Sequence, residues 1–234
     1  KEKPIDDTKY ILVMERINQI AKGMVVVMIV AFCSCTKYNY IDGGIANGVH
    51  DCTMWEYFHT DSYNWDSTII MIEHAGLKSL FDGTGEYEQI TFFGLTNLSI
   101  LRYMMINNDG LEETDPHYMH RVTDIPKGKC QDILQKLVVP QRLMLNDIPR
   151  GSRLLQKQQY VETGGVEYDC VKGKVFLWTL RGTYNNVQDA GEVQFYLASH
   201  NMDNIRNEQI VSTDIQTTNG VVQALNYDFR FTNF

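Results

Sequence analysis

Residues 90–97 read Ile-Thr-Phe-Phe-Gly-Leu-Thr-Asn, and this segment joins a strand pattern to a helix pattern. The mostly apolar residues 89–93 predict a short, buried β-strand. Thr96 is a residue type that caps helices, because its hydroxyl oxygen can accept a hydrogen bond from a free amide of the first turn. The segment therefore predicts a strand that leads directly into a helix. The apolar residues that follow at helical spacing, and that we expect to face the core, are Ile100, Leu101 and Met104.

Helical patterns occupy much of the first half of the chain. Gly76 suits the left-handed position just past the end of a helix, with Leu77 folding back onto that helix. A further helix is predicted over about 129–137, and Pro140 prevents much continuation. The apolar residues at helical spacing in this segment are Cys130, Ile133, Leu134 and Leu137.

Strand patterns dominate after Gly151. Gly164-Gly165 and Lys172-Gly173 suit tight turns between strands, and Asn219-Gly220 is a turn suited to positive φ that delivers the next residues into a strand. Because helices crowd the first half and strands the second, the pattern favours an α+β fold over alternating βαβ units. The predicted strands are 160–162, 166–168, 175–180, 193–197, 210–215 and 221–225.

Residues 14–35 have the pattern of a bacterial lipoprotein signal peptide. Arg16 and Lys22 supply a positive start, 23–32 is an apolar run, and Ser34 is a small residue before Cys35. The apolar run is about ten residues, whereas a membrane-spanning helix needs roughly twenty. A buried core helix is the alternative interpretation. The signal interpretation predicts that Cys35 carries lipid and that the protein is anchored to the membrane.

This interpretation divides the 234-residue chain into three parts. Residues 1–34 comprise upstream residues and the signal peptide, 35–50 form a polar, glycine-containing tether, and 51–234 form a single domain. The formal net charge is −8, and basic residues do not cluster beyond the signal. A nucleic-acid partner is not expected, because binding to a phosphate backbone needs a positive surface.

Four segments in order resemble the fasciclin-like domain. Residues 90–97 resemble its strand-to-helix motif, usually T-V-F-A-P-T-N, and 214–222 (Asp-Ile-Gln-Thr-Thr-Asn-Gly-Val-Val) resemble its late motif ending N-G-V-I-H. Residues 133–140 lie where the family has its central Y-H-V-V-P, and 72–77 resemble the preceding helix end. The resemblance implies an α+β, fasciclin-like wedge, with helices mainly from the N-terminal half packed on a β-sandwich-like sheet from the C-terminal half. The fold-motif residues are Thr96, Asn97, Asn219 and Gly220.

The chain departs from the family pattern at positions used for proposed ligand contacts. Lys136-Leu137 replaces the tyrosine-histidine pair, and Gln223 stands where the late motif commonly has histidine. The family's contacts at the tyrosine-histidine segment are therefore not carried over. Gly94-Leu95 also replaces the usual Ala-Pro, so the bend between strand and helix must be held in another way.

The resemblance and the signal together imply a fasciclin-like lipoprotein of Bacteroidetes. Its expected role is either a non-enzymatic adhesion protein or an accessory binding protein of a nutrient-uptake assembly. It is expected on the outer membrane, facing the cell surface and holding a protein partner or a polysaccharide. One alternative is a lipid-anchored glycan hydrolase. The other is a structural subunit of a surface assembly, which predicts an exposed apolar patch or a long unpaired edge strand. No cofactor is expected.

Aromatic residues crowd the segment from Trp55 to Trp65. Trp55, Phe58 and Trp65 are expected in the core, which leaves Tyr57 and Tyr63 as surface candidates for stacking on a sugar or anchoring a partner.

His117 and His120 are three residues apart, so they are adjacent in a helical segment. A metal site would need a third ligand such as Asp115 or Glu113, and exposed loop histidines are the expected interpretation. No catalytic or metal-binding residue is predicted. The remaining cysteines are expected to be isolated thiols, with one disulfide as the alternative; they are Cys52, Cys130 and Cys170.

Overall fold

The computed structural model describes residues 14–22, 24, 47–156, 159–199 and 206–230. The chain divides into two units, 1–46 and 47–234. In the first unit, residues 14–22 and 24 are helical and exposed. The described part of the chain contains no helix that is both long enough and apolar enough to cross a membrane. Cys35, the predicted lipid attachment point, lies outside the described residues.

Helices precede most of the strands in the second unit. The longest, α2, ends as predicted at Gly76, whose φ is +73°. The amide of Gly76 donates to the Glu73 carbonyl at 3.0 Å, and the amide of Leu77 donates to the Ile72 carbonyl at 3.1 Å. The residues that follow the helix therefore satisfy carbonyl groups of its last turn. The helices are α1 Met54–Phe58, α2 Ser62–Ala75, α3 Lys78–Phe81, α4 Asn97–Asn108 and α5 Lys127–Lys136.

A seven-stranded sheet forms the centre of the fold, and a two-stranded ribbon lies beside it. The ribbon is β3 Gly151–Gln156 paired with β4 Gln159–Gly164. The strands of the large sheet are β1 Ile90–Gly94, β2 Val138–Val139, β5 Val166–Asp169, β6 Lys174–Arg181, β7 Val193–Ser199, β8 Glu208–Thr217 and β9 Gly220–Leu225. Their order is β2-β1-β9-β8-β7-β6-β5, and only the β1–β9 pair is parallel.

The Asn219-Gly220 turn joins helices and strands at the start of β9. The Asn219 side chain is buried; its Oδ1 accepts from the Met54 amide at 2.7 Å and its Nδ2 donates to the Phe81 carbonyl at 2.9 Å. Its carbonyl accepts from the Ile90 amide at 3.1 Å. One asparagine thus ties the start of α1, the end of α3 and the start of β1 to the turn.

The large sheet is covered on both faces. On β6, Val175 and Leu177 join the core beneath the helices, whereas Phe176 and Trp178 face the other way. The Trp178 ring stacks on Tyr196 with centroids 5.5 Å apart. Alternation along a strand sends successive side chains to opposite faces, so one strand serves both layers.

The ribbon packs over this second face. Arg153 of β3 is buried, and its Nη1 donates to the Ser199 carbonyl at 3.1 Å. Its Nε lies 3.1 Å from Oε1 of Glu162 on β4, which offsets the cost of burying the guanidinium. The arrangement is β-sandwich-like on one side and helical on the other, so the predicted α+β fold class is confirmed.

The three described cysteines are free thiols, as predicted: Cys52, Cys130 and Cys170. Burial raises the pKa of Cys130 to about 11 and that of Cys170 to about 12. Both side chains therefore act as small hydrophobic residues at neutral pH.

Candidate binding surface

Helix α4 presents an apolar face to solvent. Its outward residues Leu98, Leu101, Met105 and Ile106 are 44–64% exposed. With Arg102, the single charged residue of the helix, they form what we term the α4 face. Residues three and four apart lie on one side of a helix, so these side chains are neighbours. Grouped apolar side chains of this kind mark contact surfaces on soluble proteins.

The opposite side of α4 is also apolar and faces the core. Ile100 is fully buried and Met104 is 8% exposed, as predicted. The prediction that Leu101 also faces the core is wrong. One residue advances a helix by about 100°, and Ile100 and Met104 already occupy the inward direction, so Leu101 turns outward. A helix with two apolar sides must either be buried or bind something.

Asn97 fixes the start of α4 against the start of α2. Its Oδ1 accepts from the Ser67 amide at 2.7 Å, and its Nδ2 donates to the carbonyls of Ser62 at 2.9 Å and Tyr63 at 2.7 Å. The carbonyls of a first helical turn are thereby linked to a neighbouring helix. Asn97 and Asn219 are therefore both structural residues, because each side chain bonds to the backbone of other elements of the fold.

Thr96 occupies the capping position but does not make the predicted capping bond. Its φ and ψ are −87° and 166°, the extended geometry of a helix cap, and no first-turn amide donates to its hydroxyl. The hydroxyl instead lies 3.4 Å from Oγ of Ser99. Thr96 therefore contributes backbone geometry rather than a side-chain cap.

Tyr63 borders the α4 face, whereas Tyr57 does not lie on the surface. The Tyr63 side chain is 82% exposed, and its carbonyl is bonded to the first residue of α4. Tyr57 is only 9% exposed, with its ring 4.6 Å from that of His50. The prediction that Tyr57 is exposed is wrong, because the inward face of α1 carries it into the core beside Trp65, and burial raises its pKa.

Arg102 is held on the α4 face by an aromatic ring. Its guanidinium carbon lies 5.0 Å from the ring centroid of Tyr227, which is itself exposed. Among the described residues, no carboxylate lies within ion-pair distance of Arg102. The face therefore offers one positioned cation within an apolar surface.

Gln223, where the late motif commonly has histidine, is a structural residue. It is fully buried. Its Oε1 accepts from the Asp214 amide at 2.9 Å, and its Nε2 donates to the Leu143 carbonyl at 3.1 Å and to Oδ1 of Asp214 at 3.0 Å. These bonds stabilise a bulge in β8, where Asp214 has a φ of +60°.

The segment that replaces the tyrosine-histidine pair is likewise structural. Leu137 is fully buried, and Lys136 pairs with Asp132 at 3.1 Å. His117 and His120 lie in the loop after α4. Within residues 47–156, 159–199 and 206–230, no three histidine, cysteine or acidic side chains are grouped so that they could hold a metal ion.

The α4 face could have been found in the sequence by a second periodicity. Leu98, Leu101 and Met105 recur at i, i+3 and i+7, while Ile100 and Met104 form a separate stripe. Two apolar stripes on one short helix indicate that only one can face the core.

The fold is similar to that of a known adhesion protein. The similar structure is that of a FAS1 domain pair from the insect cell adhesion molecule fasciclin I, with a TM-score of 0.50 and 9% sequence identity. The match covers 76% of this chain and 50% of that chain, so the protein spans about half the length of its structural neighbour. No family model and no curated protein matches the sequence. The chain has a FAS1-like fold.

Proposed function

We propose that this FAS1-like protein is a non-enzymatic, adhesion-type binding protein that holds a protein partner through the α4 face. The main structural support for this proposal is the exposed apolar side of α4, which has Arg102 at its centre. A structural neighbour that is a domain pair of a cell adhesion molecule supports this class of function. Tyr63 and Tyr227 lie at the margins of the same surface and add aromatic contact area.

The chemistry of the α4 face favours a protein over a polysaccharide. Apart from Arg102, the side chains of the face donate no hydrogen bonds, and the only acceptor among them is the weak thioether sulfur of Met105. Sugar hydroxyls buried there would lose their bonds to water without replacement. The partner we infer presents an apolar surface that carries a carboxylate opposite Arg102, because a positioned cation adds orientation and specificity to an apolar contact.

The proposed setting is a membrane surface. The signal-like residues 14–35 support lipid attachment at Cys35 and, with it, an outer-membrane lipoprotein that serves adhesion or a nutrient-uptake assembly. A structural subunit is the second candidate, since it also predicts an apolar patch. Its other predicted feature, a long unpaired edge strand, is not found at the two ends of the described sheet, where β2 has only two residues and β5 has four. The edge strand β5 has four residues, two of which are Glu167 and Asp169.

A pair of matched double variants tests the α4 face. The partner is isolated by crosslinking on native membranes, purified, and titrated calorimetrically against the protein. Leu101→Ser with Met105→Ser should weaken the affinity at least tenfold, on the order of 1.4 kcal/mol, because both side chains lose apolar contact area. Leu154→Ser with Val211→Ser is the control, since these side chains are similarly exposed elsewhere.

Charge reversal tests the role of Arg102. Arg102→Glu should weaken binding, and a lysine in place of the partner's facing carboxylate should restore it. Thermal unfolding of each variant verifies that the fold is intact. An affinity unchanged by the Leu101 and Met105 substitutions would refute the proposed surface. Self-association through α4, detected by light scattering, would instead make a second copy the occupant and would favour the structural-subunit alternative.

A further inference from the structure

The loop between α4 and α5 forms a concave surface that is distinct from the α4 face. An open cleft of about 610 Å³ is lined by residues 113–121, Asp124 and Pro126, and we term it the loop cleft. The volume falls in the range of sites that hold small ligands. Its lining residues are separate from those of the α4 face.

Two neighbouring aromatic rings, tilted against each other, lie in the loop cleft. The centroids of Tyr118 and His120 are 4.8 Å apart with an interplanar angle of 44°. His120 is exposed and Tyr118 is half-buried, so part of each residue is accessible from the cleft. The faces of such rings provide flat apolar area beside polar edges, which suits the C–H face of a sugar ring.

Hydrogen-bonding side chains surround the rings. In the part of the chain that the structure describes, the Glu113 carboxylate and the His117 ring form no hydrogen bond or ion pair. The Arg121 side chain is 79% exposed. Carboxylate, imidazole and guanidinium groups accept from and donate to neighbouring hydroxyls, which is the pattern a sugar presents.

The loop cleft is held in shape by side-chain bonds to its backbone. Asn108, at the end of α4, accepts from the Met119 amide and donates to the Met119 carbonyl, both at 2.8 Å. Oδ2 of Asp124 accepts from the amides of His120 and Arg121 at 2.9 Å each. These amide bonds, with the nearby positive charge of Arg121, hold the pKa of Asp124 below its usual range. A preformed cleft binds with a smaller ordering cost than a loop that must fold around its ligand.

We propose that the loop cleft is a binding site for a neutral saccharide segment. Tyr118 and His120 provide the stacking surface, and Glu113, His117 and Arg121 bond to hydroxyls. Acidic and basic side chains are mixed around the cleft, which favours an uncharged ligand over a phosphate or sulfate. The site adds a second ligand to the proposed function and does not depend on the α4 face.

Titration with defined sugars tests the loop cleft. Neutral tetrasaccharides of β-1,4-glucose, α-1,4-glucose, β-1,4-xylose and β-1,4-mannose are each added to the full chain, and binding is followed by saturation-transfer NMR and calorimetry. At least one should bind, and Tyr118→Ala should weaken that binding about tenfold through loss of ring stacking. Tyr118→Phe should retain most of the affinity, because the ring remains.

Three further variants make the outcome decisive. Tyr184→Ala removes an exposed tyrosine elsewhere and should leave sugar binding unchanged. Glu113→Gln, which changes no internal bond of the described loop, should weaken binding several-fold if Tyr118→Ala fails to fold. Leu101→Ser with Met105→Ser should not affect sugar binding, which separates this site from the α4 face. Absence of binding by every tetrasaccharide at about 10 mM, or binding unchanged by both Tyr118→Ala and Glu113→Gln, would overturn the proposal.

Discussion

Glu208 is a carboxyl group buried without a hydrogen-bond partner among the described residues. It is 3% exposed, and Oε1 lies 3.8 Å from Nε of Arg206, beyond hydrogen-bond distance. Burial raises the pKa of Glu208 to about 7. The negative charge of Asp228 also raises this pKa, whereas the positive charges of Arg206 and Arg230 lower it. The folded state therefore holds a proton that the unfolded state releases near pH 4.5.

The stability contributed by this proton should fall with rising pH. It is fully present below about pH 4.5, decreases between pH 4.5 and 7, and is lost above pH 7, because only the folded carboxyl stays protonated in that window. Glu208→Gln should raise the free energy of unfolding at pH 8 by up to about 3 kcal/mol and have little effect at pH 4. Urea unfolding at pH 4, 6 and 8 measures this. Glu86→Gln, an exposed control, should show no such dependence; a pH-independent effect at Glu208 would contradict the assignment.

Among the elements, those set by local chemistry were predicted well from the sequence. The turn at Gly173 and the helix end at Gly76 need positive φ, which glycine adopts without strain, and both occur where expected. The helix predicted over 129–137 is found as α5, and its four apolar positions are fully buried. The spacing of apolar residues and the positions of glycines are properties of short segments, so they can be identified without knowledge of the tertiary structure.

The strand β3 was missed although it pairs locally with β4, but other missed elements and residues depend on distant partners. The two-residue strand β2 exists because Val138 and Val139 pair with β1, which lies more than forty residues away in the sequence. Thr96 needs no hydroxyl cap, since Asn97 links α4 to α2 instead. Tyr57 points inward because α1 docks on the Asn219 turn. The second apolar stripe of α4 was readable in the sequence but was not recognised, whereas the loop cleft arises only from what the rest of the fold leaves uncovered.

The parallel pairing of β1 with β9 depends on Gly220. A Cβ at this position would lie 2.1 Å from the Ile90 carbonyl oxygen, a contact that no side chain tolerates. Gly220→Ala should therefore push the two strands apart where β9 begins and lower the free energy of unfolding by about 3 kcal/mol or more. Thermal unfolding monitored by circular dichroism measures the loss.

Gly128→Ala is the matched control for this substitution. A Cβ at Gly128, inside α5, would meet nothing within 4 Å. Alanine is favoured over glycine in a helix, so this variant should be neutral or stabilised by up to about 1 kcal/mol. Equal stability of the Gly220→Ala variant and the wild type would show that β1 and β9 do not require the close approach.

The second unit begins with residues that bond directly to its own sheet. The Gln216 amide donates to the Gly48 carbonyl at 2.7 Å, and the His50 amide donates to the Gln216 carbonyl at 2.9 Å. The chain thus enters the domain as a short addition beside β8. Because residues 47–234 form a compact unit, we expect this unit to fold when it is expressed without residues 1–46.

This separation allows the proposed lipid anchor to be tested without disturbing the fold. Native protein should begin at Cys35 and carry the added mass of acyl chains. Several acyl chains together make a durable membrane attachment, whereas one chain gives only marginal binding. Cys35→Ala should abolish acylation and leave the leader uncleaved, whereas Cys52→Ala should do neither. Intact-mass spectrometry and palmitate labelling measure both effects. Residues 47–234 exported behind a cleavable secretory signal should be released from the membrane with an unchanged melting temperature. Native protein that retains residues 14–34 and lacks an acyl group would exclude the anchor while leaving the α4 face and the loop cleft to be judged by their own tests.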